Sequence, residues 1–188
     1  MYRTKIIPFA VVAAMAIASS SVAFAGTDEA ERSQEIAAVL KAQTSLSTAI
    51  AAAESESGGR ALKIGYEKEN GISVYEVKVF KDKSVFEVVV DPTTGKVIKT
   101  KAEGLYATIS EWDDQDAFAK AAASPTTLVS AILAAEQKVG GKAVEAKVDD
   151  EDNGFQFKIE VAKDSAVYDV IVDIVSGKVL SVKADGVD

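Results

Sequence analysis

The stretch F-E-V-V-V-D-P-T-T-G-K-V-I-K-T-K-A-E-G, residues 86–104, returns as Y-D-V-I-V-D-I-V-S-G-K-V-L-S-V-K-A-D-G at residues 168–186. Nine of the 19 positions are identical at a spacing of 82, and six more are close exchanges. Chance does not give this, so the chain contains an internal repeat. Phe86, Val88 and Val90 alternate with Glu87 and Val89, which predicts a strand with one face on a core. Asp91 and Gly95 then read as a turn. The aspartate carboxylate can accept backbone N–H groups two or three residues on, and glycine suits a final position with positive φ. Lys96 opens a second strand. The aspartates Asp91 and Asp173 are thereby expected to do hairpin work rather than ligand binding.

Working outward, the same plan precedes each copy. Leu46, Ala49, Ile50 and Ala53 fall on one helical face, as do Leu128, Ala131, Ile132 and Ala135. Gly58-Gly59 and Gly140-Gly141 stop these helices. Ser124 is expected to cap the second helix, with Pro125 in its first turn. Strands are expected at 61–67, around Tyr75–Val79, at 86–90 and at 96–101, with Asn70-Gly71 as a tight hairpin. In the second copy they are expected at 143–148, 155–161, 167–173 and 178–183. The expected fold class is α+β: two tandem repeats, each one helix packed on a four-stranded antiparallel meander sheet. At about 60 residues apiece and without disulfides, each repeat is marginal alone, so the two should pack on each other or on a partner.

Around the repeats, residues 1–25 carry Arg3 and Lys5, an apolar run and a small-residue Ala-x-Ala end at Ala23–Ala25, which read as a cleaved signal peptide. An uncleaved signal anchor is the alternative. No stable membrane span is expected after cleavage, since the run falls short of about 20 apolar residues. Residues 26–43 form an N-terminal helix or arm, with Ile36, Val39 and Leu40 on one side. Residues 44–104 are the first repeat, 105–123 a linker, and 124–188 the second repeat. The linker holds Trp112, the one tryptophan, and should form a short helix docking Trp112 or Phe118.

The chain has no Cys and no His. That removes cysteine-linked lipid anchors, disulfides, His-dependent nucleophile systems and the common zinc sites. No catalytic, cofactor-binding or metal-ligating residue is assigned, and the protein reads as no enzyme. Removing residues 1–25, which hold two cations and no acid, takes the formal net charge from −8 to −10. Such a surface repels nucleic acid and anionic membranes.

The stretch Asp149-Asp150-Glu151-Asp152-Asn153-Gly154, with Glu160 beyond it, approaches an EF-hand loop. Position 3 is Glu rather than Asp, Gln156 replaces the usual aliphatic, and Phe155, Phe157 and Ile159 alternate as a strand. An acidic hairpin tip is the reading preferred over calcium binding. On the outward sheet face, Val85, Glu87 and Val89, with Val74 and Phe80, and in the second copy Val167, Asp169 and Ile171, are either ordinary solvated strand or a packing strip.

Each repeat resembles a PepSY domain, the domain of peptidase propeptides and of YpeB-type proteins. The resemblance rests on S-L-S-T-A-I-A-A-A-E (45–54), G-G (58–59), Y-E-V-K-V (75–79) and F-E-V-V-V-D-P-T-T-G-K-V (86–97), with their counterparts 82 residues on. Ile174-Val175 depart from the Pro-Thr of the first copy. The resemblance implies a periplasmic or secreted, non-enzymatic binding or regulatory module, whose partner is another extracytoplasmic protein, with a peptidase that it inhibits or chaperones as one form. It brings no catalytic residue. The alternative is an acidic cation-binding or sensing periplasmic protein.

Overall fold

The computed structural model describes residues 25–69, 71–104, 115–151 and 154–184. The expected signal segment apart from Ala25, together with Trp112 and the tip residues Asp152 and Asn153, lies outside them. The first repeat comprises helix α1 (Ala25–Lys41), α2 (Leu46–Ser57) and strands β1 (Arg60–Glu69), β2 (Ile72–Lys81), β3 (Ser84–Val90) and β4 (Val97–Gly104). The second comprises α3 (Gln115–Ala122), α4 (Leu128–Val139), β5 (Lys142–Glu151), β6 (Gly154–Lys163), β7 (Ala166–Asp173) and β8 (Val179–Ala184).

Local chemistry sets the helix ends. Ser45 Oγ accepts from Thr48 N at the start of α2, and Thr127 and Ser130 form a reciprocal capping box at the start of α4. Thr127, 82 positions after Ser45, is therefore the cap, and Ser124 is not. Ser124 N donates to Ala121 O and Ser124 Oγ to Thr126 O, so this serine closes the chain behind α3. Gly58 and Gly140 end α2 and α4 at φ 69° and 76°, the left-handed conformation that glycine adopts without cost.

The two meanders are one sheet. The strand order is β4-β3-β2-β1-β5-β6-β7-β8, antiparallel throughout. Its centre is the pairing of β1 with β5, where Lys63 faces Lys147 and Ile64 faces Ala146. Ile64 and Ala146 are fully buried on the face that α2 and α4 cover. Each meander thus covers its inner edge with the other, and the marginal size of one repeat is resolved by fusion. Pairing the two inner edge strands, β1 and β5, in one continuous core does the work that disulfides do in smaller domains.

The helix face is filled by the expected residues. Leu46, Ala49, Ile50 and Ala53 and their counterparts Leu128, Ala131, Ile132 and Ala135 are all buried against Val77, Val79, Val88 and Val90 and against Phe157, Ile159, Val161, Val170 and Val172. Tyr75 carries one difference between the copies. Its hydroxyl donates to Thr44 O at 3.0 Å, and Phe157 stands in its place in the second repeat. Burial and then the neighbouring Tyr66 push the Tyr75 hydroxyl up to about 12.

A third layer was not expected. α1 and α3 lie on the face of the sheet opposite α2 and α4; α3 rests on β1 and β2 of the first repeat, and α1 straddles β1 and β5 at the junction. α1 buries Val39 over the start of β5, with Ile36 beside Val144. α3 buries Phe118 and Ala121 over the start of β1, with the Phe118 ring 6.2 Å from Phe80. Leu40, expected on the buried side of α1, is half exposed instead. β-bulges at Ala61/Lys63 and Ala143/Glu145 turn Leu62 and Val144 toward these helices, and both are buried.

Candidate functional site

The inner face of the sheet is consumed by core, so the face with chemistry to offer is the outer one. It has three parts, and they differ between the copies where the fold does not.

Over the first repeat, the face is closed by ion pairs. Lys78 Nζ lies 2.9 Å from Glu76, 3.3 Å from Glu87 and 3.0 Å from Glu103, and Lys99 Nζ lies 3.1 Å from Glu87. Glu87 is buried to 8 % exposure. Burial alone would raise its carboxyl, but the hydrogen bond from Lys99 and the charge and hydrogen bond of Lys78 outweigh it and hold it down to about 2. Lys78 stays charged for the same reason, burial opposing it and Glu76 and Glu103 prevailing. Val74, Val85 and Val89 are buried here too, so the outward strip of this repeat is packed rather than solvated.

At the junction, Lys63 and Lys147 sit directly opposite each other, an arrangement that is unfavourable alone. Glu145, one residue before Ala146, feels both lysines. Arg32 of α1 reaches down to Glu160 at 3.0 Å. Arg32, Glu35, Lys63, Glu67, Glu145 and Glu160 line a cavity of about 100 Å³ beneath α1. Burial and then Glu160 raise the carboxyl of Glu145. Glu67 is raised by burial and then by Glu76 and Glu35, and Glu35 by burial and then Glu31. These are the marks of carboxylates seating a helix, and no nucleophile stands beside a base here.

Over the second repeat, the face is open. A groove of about 430 Å³ runs beside β8, lined by Gln156, Lys158, Asp169, Ile171, Leu180 and Lys183. Lys158 Nζ meets Asp169 Oδ2 at 2.9 Å. The counterparts of Lys158 and Asp169 in the first repeat, Glu76 and Glu87, belong to the closed network. Val167, Asp169 and Ile171, the outward residues expected from the alternation, are only half-buried here. Asp149 Oδ2 and Asp169 Oδ1 are buried without a hydrogen-bond partner.

The turn aspartates do what their spacing predicts. Asp91 Oδ1 accepts from Thr93 N at 2.7 Å and Thr94 N at 3.0 Å, and Gly95 has φ 69°. Asp173 Oδ1 accepts from the backbone and hydroxyl of Ser176, and Gly177 has φ 68°. Backbone N–H groups of Thr94 and Thr93 lower the Asp91 carboxyl, and the Ser176 hydroxyl and N–H lower that of Asp173.

The EF-hand spacing does not become a loop. Asp149 pairs with Gln156 and Glu145 with Glu160, so Asp149 and Glu160 are four residues apart along a straight ladder, about 13 Å. Glu160 is committed to Arg32. Among the described residues, no group of three or more His, Cys, Asp or Glu side chains is arranged to hold a metal ion. Phe118 docks as the linker reading required, whereas Trp112 lies outside the described residues. The reading of the sequence missed the third layer formed by α1 and α3. The signal was present: Ile36 and Phe118, Val39 and Ala121, and Arg60 and Lys142 are all 82 residues apart.

A helix-plus-meander plan written twice, with its shared residues in the core, defines an α+β fold built in tandem. The chain belongs to the PepSY family, described as the peptidase propeptide and YPEB domain, whose pattern matches residues 44–101 and again 124–183. Domains of this family are generally non-catalytic, propeptide- or inhibitor-like modules, and proteins that carry them are typically extracytoplasmic. A solved structure with a likeness to the chain is that of a protein assigned as a lipoprotein in Clostridium difficile 630. It is 22% identical over 77% of this chain and 95% of that one, with a TM-score of 0.45. Comparison with curated proteins returned no match. No single helix among the described residues is long and apolar enough to cross a membrane.

Proposed function

We propose that the chain is an exported, non-enzymatic module that binds and regulates another extracytoplasmic protein, with a peptidase as the foremost candidate. The observation that carries this reading is the asymmetry of the outer face. Two copies of one fold share their core chemistry, yet the first copy closes its outer face with the Lys78 and Lys99 network while the second leaves a groove beside β8. A fold maintained twice and opened once has a surface to offer. The family's place in peptidase propeptides supports a peptidase as the protein it meets.

The test uses the chain lacking residues 1–25 as bait in an extracytoplasmic extract of its own organism. A stoichiometric partner whose activity changes on binding is the expected result. No stable partner, together with a rise in melting temperature on adding calcium, overturns the proposal in favour of a cation-binding protein.

A further inference from the structure

We propose, resting on the binding-module reading, that the free edge of β8 receives an extended segment of the partner protein as a ninth strand, and that this segment has an aliphatic centre flanked by carboxylates. β8 and β4 are the two ends of the sheet, and no described strand pairs with the outer side of either. Exposed edges are ordinarily guarded by lysine and other polar residues. β4 follows that rule with Lys99, Thr100 and Lys101. The same positions in β8 are Ser181, Val182 and Lys183, and the turn before it has Val175 where the first copy has Thr93. Val175, Leu180 and Val182 are exposed to 67 %, 60 % and 38 %. Leu180 matches Ile98, exposed to 55 % in β4, but the second copy has Val175 and Val182 for Thr93 and Thr100 and Ser181 for Lys99, which leaves the edge that borders the open groove more apolar and less guarded.

Charge selects the occupant. Lys178 and Lys183 bracket the apolar centre of β8, both exposed and neither within salt-bridge distance of a described acid. The strand already paired on the inner side of β8 shows what this pattern accepts. It reads D-V-I-V-D at residues 169–173, with Asp169 opposite Lys183, Ile171 opposite Ser181, and Asp173 N donating to Lys178 O. A second strand of that chemistry on the outer side would place its backbone about 4.8 Å away and its alternate side chains over Leu180 in the groove and over Val182 on the other face. A second copy of this chain fits less well. Antiparallel pairing of two β8 strands with Leu180 opposite Ser181 brings Lys183 of each opposite Lys178 of the other, between chains whose net charge is −10 without residues 1–25.

The test titrates two blocked peptides, Glu-Val-Ile-Val-Glu and Lys-Val-Ile-Val-Lys, into the isotope-labelled chain lacking residues 1–25, followed by NMR. The expected result is amide shifts confined to β8 and to Ile171 and Asp169 across the groove. The acidic peptide should bind about tenfold tighter, and the preference should collapse at about 0.5 M salt. Lys183→Glu should reverse the preference, and Val182→Lys should abolish binding while leaving the circular dichroism spectrum unchanged. Equal shifts at β4, no shifts at millimolar peptide, or β8 shifts that follow protein concentration without peptide (a second copy at the edge) each overturn the proposal. So does a partner protein captured equally well by Val182→Lys, an outcome that leaves the binding-module reading standing.

Discussion

Arg60 and Lys142 hold the same position in the two repeats, and each ties down the helix that precedes the other. Arg60 Nη2 donates to Ser124 O behind α3 at 3.0 Å. Lys142 Nζ donates to Val39 O at the end of α1 at 2.8 Å. Val39 O also accepts from Ala42 N, and a cation beside the carbonyls that follow a helix is favoured by the helix dipole. Arg60→Met and Lys142→Met keep the aliphatic stem and lose the charge-assisted bond. Each should cost about 1–2 kcal/mol, or about 2–6 °C of melting temperature. Scanning calorimetry should show one transition for both variants, because a single sheet spans the repeats. Two resolved transitions would contradict a shared core.

Glu87 and Glu145 should respond to pH in opposite senses. The folded chain holds Glu87 at about 2 against 4.5 for the free side chain, so the unfolded state binds more protons in that window. The stability from Glu87 is present above about pH 4.5 and is lost as pH falls toward 2. Glu87→Gln should therefore destabilise by about 2–3 kcal/mol near neutrality, with the deficit shrinking in acid.

Glu145 is raised from 4.5 by burial and by Glu160, so the folded state binds more protons. Its ionisation costs stability as pH rises past 4.5. Glu145→Gln should melt higher than the parent near neutrality and no higher in acid. Urea titrations across pH, read by fluorescence, check both signs.

The hairpins joining β2 to β3 and β6 to β7 have positive φ at both central residues, Asp82 (49°) and Lys83 (64°), and Asp164 (49°) and Ser165 (69°). A mirror-image turn of this kind favours Asp-Gly, and an L-residue there costs about 1 kcal/mol. Lys83→Gly and Ser165→Gly should each raise the urea midpoint by the equivalent of about 0.5–1 kcal/mol.

Gly59 and Gly141 lie where no side chain fits. A Cβ on Gly59 would come within 2.6 Å of Phe80 O, and one on Gly141 would collide with Ala162 O. Alanine at either position should cost about 1–3 kcal/mol. Gly65 is the control, since a Cβ there meets nothing within 4 Å. Gly65→Ala should leave the melting temperature unchanged or raise it.

The parts of this fold legible in the sequence were those governed by short-range rules. Leu46 to Ala53 gave a helical face, Phe86 to Val90 a strand face, and Asp91 to Gly95 a turn, because each pattern reports the burial or hydrogen bonding of neighbours along the chain. The cap at Thr127 was missed because Ser124 and Pro125 make an equally good local signal, and only the packing of α3 commits Ser124 elsewhere. The pairing of β1 with β5 was not legible, because nothing in either strand distinguishes a partner within its repeat from one in the other. The outer face was the least legible part. Val89 and Ile171 occupy equivalent positions, yet one is buried and the other half-buried, and Val89 is the one flanked on the adjacent strands by the ion-paired Glu76 and Lys99.

Arg32 finds Glu160 across 128 residues of chain, and Lys142 finds Ala42 across 100. A chain that stopped after β4 would keep the β1 side of the seat of α1 and lose β5, Glu160 and Lys142. The earliest described segment to be synthesised therefore reaches its full set of contacts only when the second repeat is present and folded. Anything attached ahead of α1 is coupled to the completion of the whole molecule.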